Sequence, residues 1–438
     1  MNQAKTPAQI RAILLGIIEK MANDPDRFVV HPQKDFTRNR ICTMPNVICN
    51  LITAENHTLN RELFFFYSSL KMKIPTKSAF IQARSKLKPE AFQYLLNEFN
   101  KSFPFRKTFC GFHLISCDGT DSNIPALAND GDSFISFNSG NGGYYQNHLV
   151  ACYDLLEKRY TDAVLQPRKK IKESLACCQL VDRNPVPGKC LFIMDRGFFS
   201  LNLLAHFQEN NQFFLLRVKE LSTKESPFKF LPLPDIDEFD FPVHFIVTRC
   251  ARLFRENPVL YKSMYGNRTF DFIAPGDLHS QYHLNFRLVK LKLSDDSFEY
   301  LITNLPDSFA IPVLKDLYHL RWGIETSFRF LKYNIAMSFF HSIKRVFIHQ
   351  EVFSRLILYN FCSLAVACLE TPASSRSRYP CHINFSNAVF VFRYFLTIPI
   401  SQTILYRYLC SNMVPVRPDR SFHRKLQSQV LKSLQHRT

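Results

Sequence analysis

The sequence predicts an α/β fold, with a core of strands and helices set between two helical flanks. Three observations carry this. Residues before His113 show apolar stripes of helical spacing, and from His113 short apolar runs of strand character take over. Between His113 and Val218 these runs alternate with helical segments, the pattern of a sheet covered by helices. Residues 311–334 then return to one strong helical stripe.

Composition sets the outer bounds. The chain has 438 residues, 46% of them hydrophobic, which is enough for several domains with a large core and excludes a disordered chain. Fifty-five Lys and Arg against 37 Asp and Glu give a net charge of +18, which favours a polyanionic partner such as nucleic acid. Residues 1–20 lack the pattern of a signal peptide, and the longest apolar stretch, 356–369, is too short to span a bilayer. Thirteen cysteines with no C-x-x-C pair point to reduced thiols and no structural zinc. No membrane partner is expected, and a cytoplasmic location is.

Residues 1–107 read as a helical, DNA-binding region. Helical stripes cover 8–21, 46–53, 61–71 and 89–99. The segment MKIPTKSAFIQARSKLKPEAFQYLL resembles a helix-turn-helix, with Thr76 or Ser78 as N-cap and a basic helix over 79–87. Lys77, Arg84, Lys86 and Lys88 would face phosphates. An ordinary helical bundle with a charged exterior is the competing reading.

Residues 108–370 form the expected core. The run HLISCDGTDSNIP places Asp118 at the end of a strand, entering a turn at Gly119. Strands follow at 145–155 and 160–166, then a helix at 173–181. A second short apolar run, 190–194, ends in Asp195-Arg196-Gly197-Phe198. A helix at 201–209 and a strand at 212–218 come next. Strand-like runs at 243–249, 270–273, 284–293 and 298–303 mark a β-rich insertion at about 220–307.

Residues 311–334, IPVLKDLYHLRWGIETSFRFLKYN, read as one helix that opens at Pro312. At about 100° per residue, Tyr318, Arg321, Glu325 and Lys332 project within about 60° of one another, with Arg329 close to the same arc. Leu317, Leu320, Ile324, Phe328 and Leu331 make the adjacent core-facing stripe. Taken alone, this is an ordinary solvated face, and Glu325 with Arg329 an ordinary i,i+4 pair.

Two strand-end aspartates and a helical Glu make a more specific set. Three converging carboxylates repel one another unless a cation neutralises them, and hard divalent Mg²⁺ or Mn²⁺ suits oxygen donors. Asp118, Asp195 and Glu325 are the candidate ligands, for two such ions able to promote phosphodiester chemistry. Tyr318, Arg321, Lys332, Arg196 and Arg329 are the candidate DNA contacts beside them. Asp121 and Asp154 compete for the ligand role. His148, His319 and His341 lack metal-ligand spacing and read as packing or phosphate contacts.

These residues resemble a known family. Tyr318-x2-Arg321-x3-Glu325-x6-Lys332 matches the Y-(2)-R-(3)-E-(6)-K signature of DDE transposases of bacterial insertion sequences, in the insertion sequence 4 family. Asp118-Gly119-Thr120 and Asp195-Arg196-Gly197-Phe198 resemble its two aspartate motifs. The resemblance covers roughly residues 112–361. It implies an RNase H-like catalytic core, a triad of Asp118, Asp195 and Glu325, and metal-dependent cut-and-paste chemistry at transposon ends. It also implies transposon-end and target DNA as partners, a homodimer in the DNA complex, and action at the bacterial nucleoid. The single Trp, Trp322, lies inside the signature helix, whereas well-known relatives place a base-stacking Trp in the insertion. Tyr261, Tyr265 or Phe270 would stack a base in its place.

After the signature, residues 349–369 read as a long apolar helix. Residues 371–438 form a basic C-terminal region with ten Lys and Arg against one acid, Asp419. Within it, 372–378 reads as a linker, 384–396 and 403–410 as helices, and 420–437 as a tail that contacts DNA or a second protomer. Three other functions stay in view. They are a catalytically inactive DNA-binding relative, an RNase H-like nuclease without strand transfer, and a small-phosphoester hydrolase, which the charge disfavours.

Overall fold

The computed structural model of the protein describes residues 6–38, 40–126, 130–137, 142–219, 221, 223, 226–264, 268–294, 297–369 and 379–416. The expected linker 372–378, the basic tail 420–437 and Tyr265 lie outside them.

Five helices open the chain: α1 (Pro7–Asn23), α2 (Met44–Thr53), α3 (Leu59–Ser69), α4 (Lys77–Arg84) and α5 (Glu90–Lys101). Their starts follow from sequence chemistry. Thr6, Thr43 and Thr76 each accept a backbone N–H as N-caps, and Thr6 with Gln9 closes a capping box.

The sheet follows: β1 (His113–Ile124), β2 (Phe134–Ser136), β3 (Gly143–Asp154), β4 (Arg159–Pro167), α6 (Glu173–Asp182), β5 (Cys190–Met194), α7 (Leu201–Glu209) and β6 (Phe213–Val218). β1 pairs antiparallel with β3 and parallel with β5, and β5 pairs parallel with β6. All five residues of β5 are buried, as a central parallel strand covered on both faces must be. The later segment supplies β7 (Phe239–Thr248), α8 (Ala251–Glu256), β8 (Tyr261–Ser263), β9 (Gln281–Ser294) and β10 (Ser297–Thr303). β10 pairs with β6, so these strands extend the same sheet in the order β2-β3-β1-β5-β6-β10-β9-β7-β8, with β4 on β3. The expected strand at 270–273 is instead irregular, with Phe270 and Ile273 buried.

The signature segment is two helices, α9 (Ile311–His319) and α10 (Trp322–Tyr333), not one. At the junction, Arg321 N, Gly323 N and Ile324 N donate to carbonyls three residues back, so the turn tightens locally to 3₁₀ form. The chain closes with α11 (Arg345–Ala367), β11 (Cys381–Ile383), α12 (Phe385–Thr397), α13 (Gln402–Ser411) and β12 (Met413–Pro415). Among the described residues no helix is long and apolar enough to cross a membrane. The whole is a mixed α/β protein with one large mixed sheet and flanking helices.

Three apolar cores organise it. One joins the N-terminal helices, α10, α11 and the C-terminal helices on the β3–β4 side. A second lies under α6 and α7. The third packs α9 on β1, β5 and β6.

Candidate active site

Asp118 does not end its strand. β1 continues to Ile124 because β3 keeps pairing with it as far as Tyr145. What ends at Asp118 is the pairing on the other side. The last parallel partners are Cys117 and Met194, so Asp118 and Asp195 are the next residues on neighbouring strands. Such strands run about 4.8 Å apart. Side chains alternate along a strand. Leu114, Leu191 and Ile193 pack with Leu314, Leu317 and Tyr318, and the two aspartates share their parity. Asp195 keeps extended backbone, φ −86° and ψ 169°, beyond the end of β5. Both carboxylates therefore rise on the face covered by α9 and α10.

The signature residues meet them there. Arg321 Nη1 lies 3.3 Å from Asp118 Oδ2, and Arg321 Nη2 lies 2.9 Å from Glu325 Oε1. Tyr318 donates its hydroxyl to Asp195 Oδ1 at 3.3 Å. Glu325 pairs with the Arg one turn before it, and Arg329 is exposed. Gly119 N donates to Asp118 Oδ1 at 2.8 Å.

Burial pushes the Asp118 carboxyl up to about 6. Gly119 N–H and Arg321 oppose the rise, and the nearby charges of Glu325 and Asp195 add to it. Burial would lower the Arg321 guanidinium, but Tyr318, Asp118, Glu325 and Asp195 outweigh it and raise it. Burial also raises the Tyr318 phenol, helped by Asp195. Lys332 is half-buried two turns beyond Glu325, and burial lowers its ammonium against the pull of Asp121.

Three carboxylates against one guanidinium leave the cluster with two negative charges, which matches a divalent cation. Among the described residues no three acids, His or Cys are gathered at metal-holding distances, since Arg321 stands between Asp118 and Glu325. Its buried Nε meets no acceptor among the described residues. The donor chemistry of three carboxylates is that of a hard cation's ligands.

The other expected residues divide. Arg196 and Lys77 are exposed. Arg84 is not: it is 2% exposed, paired with Glu351 at 2.8 Å and bonded to Gln350 and the Phe347 carbonyl. These partners on α11 draw it into the core, so it offers no charge to phosphate. Leu320 is 44% exposed and leaves the core stripe, because the tightened turn swings it outward. With exposed Trp322 it edges a cavity of about 320 Å³ that Leu155, Leu156 and Thr326 also line. Phe270 is buried and unavailable for stacking, whereas Tyr261 is half-buried. Asp154 caps the backbone of Leu156 and Glu157 as a turn former, and Asp121 is bound to His148. His341 is buried between Glu62 and Glu351, and His319 is exposed.

Sequence reasoning missed Glu173. It opens α6, its carboxylate lies against Gly119 and Gly197, and it contacts His148 at 2.9 Å. An acid in the first turn of a helix reads from sequence only as a dipole partner.

The geometry thus brings two aspartates on neighbouring strands and a helical Glu to one face of the sheet. The family model described as "Transposase DDE domain" matches residues 113–361, more than half of the chain, and the chain belongs to that family. A comparison with curated proteins gives no match. Among solved structures, the chain is similar to the piggyBac transposase synaptic complex with hairpin DNA. The two share 13% sequence identity at a TM-score of 0.46, over 96% of this chain and 88% of that one.

Proposed function

We propose that the chain is an insertion-sequence transposase of the insertion sequence 4 type, which binds its element's terminal inverted repeats, cuts there and joins the ends to target DNA. The observation that carries this is the convergence of three distant segments. Arg321 joins Asp118 to Glu325 while Tyr318 holds Asp195. The strand order β4-β3-β1-β5-β6, antiparallel on one side of β1 and parallel on the other, supports an RNase H-like core. On this reading residues 108–370 form the catalytic domain, with the β-rich insertion at about 220–307. Residues 1–107 and 371–438 are the DNA-handling and pairing flanks of a homodimer.

Asp118, Asp195 and Glu325 would hold Mg²⁺ or Mn²⁺, two ions when loaded. Bound there, such cations polarise phosphate oxygens and make water or a 3′-hydroxyl nucleophilic. The chain's own residues supply the rest. Tyr318 orients Asp195 through its hydroxyl. Arg321 fixes the orientation of Asp118 and Glu325 from one fork. Lys332, Arg196 and Arg329 place cations where the DNA backbone would lie, and Lys77 does so on the N-terminal helices.

The test is cleavage of DNA carrying the element's own ends, with Mg²⁺, by the wild type, Asp118→Ala and Glu325→Ala. The expected result is cutting by the wild type only, with end binding retained in both variants. Cutting by the variants would refute the ligand assignment. End binding without cutting by the wild type, in Mg²⁺ and in Mn²⁺, would favour the inactive DNA-binding relative.

A further inference from the structure

A second layer of side chains stands behind the two aspartates, on the opposite face of β1, and converges on two glycines. A Cβ at Gly119 would lie 2.4 Å from His148 Nε2 and 2.5 Å from Glu173 Oε1. A Cβ at Gly197 would lie 2.8 Å from Glu173 Oε2. One carboxylate therefore fills the space against both glycines, with one oxygen toward each. Any side chain at either position would displace it. Gly119 follows Asp118 directly, and its N–H holds Asp118 Oδ1. Gly197 sits in the turn that follows Asp195.

Glu173 is itself held. His148 Nε2 lies 2.9 Å from Glu173 Oε1, and His148 Nδ1 lies 2.7 Å from Asp121 Oδ1. His148 is buried on β3, directly across from Asp121 on β1. Arg168 adds a longer contact to Asp121, 3.8 Å from Nε to Oδ2. The result is an ionic strut from β1 through β3 to the start of α6, ending at the backbone that carries both aspartates.

We propose that Glu173, held by His148, is a positioning residue that sets the spacing of the Asp118 and Asp195 carboxylates and so the affinity of the site for its divalent cation. This rests on the reading of Asp118, Asp195 and Glu325 as the ligands. Glu173 acts by shape, through Gly119 and Gly197, without touching the cation. Groups of this outer kind typically change metal affinity about 10- to 100-fold when removed.

The experiment is Mn²⁺ binding by the full chain without DNA, read by electron paramagnetic resonance, with thermal melting as a fold control. Four proteins are compared: wild type, Glu173→Ala, Glu173→Gln and Asp118→Asn. Glu173→Ala is expected to weaken Mn²⁺ binding by about 10- to 100-fold. Glu173→Gln, which keeps the shape, is expected to restore most of it. Should Glu173→Ala not fold, Gly197→Ala, which crowds the carboxylate from the other side, carries the same expected loss. Wild-type affinity in Glu173→Ala, with weak binding in Asp118→Asn, overturns this inference and leaves the ligand assignment standing. A Gln variant as weak as Ala overturns it too, since charge and not spacing would then be at work. Full affinity in Asp118→Asn removes the ligand reading itself.

Discussion

Asp118→Asn should make the metal-free protein more stable, and only at a pH where Asp118 is ionised. The Asp118 carboxyl is raised by burial from 3.8 to about 6 in the folded chain. An acid whose folded value is raised destabilises the fold when it ionises. The penalty is absent below 3.8, grows as pH rises toward about 6, and is constant above. A shift of about two pH units corresponds to ~3 kcal/mol at pH 8. The side chain is 19% exposed, so solvent screens only part of this. Asn resembles the protonated acid and escapes the cost. Unfolding entropy of roughly 2.1 cal/mol/K per residue turns that gain into a rise in Tm of about 3 °C for a chain of this length. Scanning calorimetry in a chelator at pH 8 and pH 4 reads it directly. Added Mg²⁺ should reverse the order, because only the wild type gains from binding, by about 4.1 kcal/mol at a roughly thousandfold excess over the dissociation constant. An Asn variant that melts no higher than wild type at pH 8, or that gains equally at pH 4, refutes the reasoning.

Arg84→Ala should cost about 3–5 kcal/mol in urea unfolding, because it leaves Glu351 buried without its 2.8 Å partner. Its salt dependence of DNA binding should match wild type, whereas exposed Lys77→Ala should lower that slope by about one and leave stability alone. His341 supplies a second loss of stability with rising pH, in a higher pH window. Burial lowers its imidazolium, but Glu351 and Glu62 outweigh this and raise it from 6.5 to about 9. Its stabilisation should be complete below 6.5 and fade as pH climbs through about 9, by roughly 2–3 kcal/mol in urea midpoints. His341→Phe should abolish that fading, and a wild type with no loss between pH 6 and 10 would exclude the ion-paired His341.

That Tyr318, Arg321 and Glu325 lie together was legible because their spacing is local. Tyr318, Arg321 and Glu325 lie within two turns of helix, so sequence distance converts to spatial distance even across the tightened turn. The two aspartates were legible because each follows a buried apolar run. What the sequence could not carry was pairing. Asp118 reads as a strand end from composition, yet β3 extends the strand six residues beyond it, to Ile124. Arg84 reads as a surface cation on a basic helix, and only its acidic partner on α11, far along the chain, draws it inside. Glu173 and His148 carry no spacing signal, since they meet only once β1, β3 and α6 are assembled. Local periodicity names the residues of a site, and long-range pairing decides which way they face.

The same long-range packing ties the N-terminal helices to the chemistry. Ile324, Phe328 and Leu331, the buried side of the Glu325 helix, belong to one apolar core with Ile10, Leu51, Phe80 and Phe99 from the N-terminal helices. α11 runs through the middle of that core, and its buried Arg355, Glu351 and Gln350 bond to the Ala54 carbonyl, Arg84 and the Leu87 carbonyl. An N-terminal flank that only displayed basic residues would need neither feature. Here, removing it would expose a large apolar face of α11, take Arg84 away from Glu351 and strip Arg355 of the Ala54 carbonyl, a cost of several kcal/mol for each buried charge that loses its partner. The helix that brings Glu325 to Asp118 and Asp195 would lose the core it rests on. The N-terminal helices and the helix that carries Glu325 are therefore parts of one packed body. A displacement of those helices would reach the Glu325 helix through packed side chains.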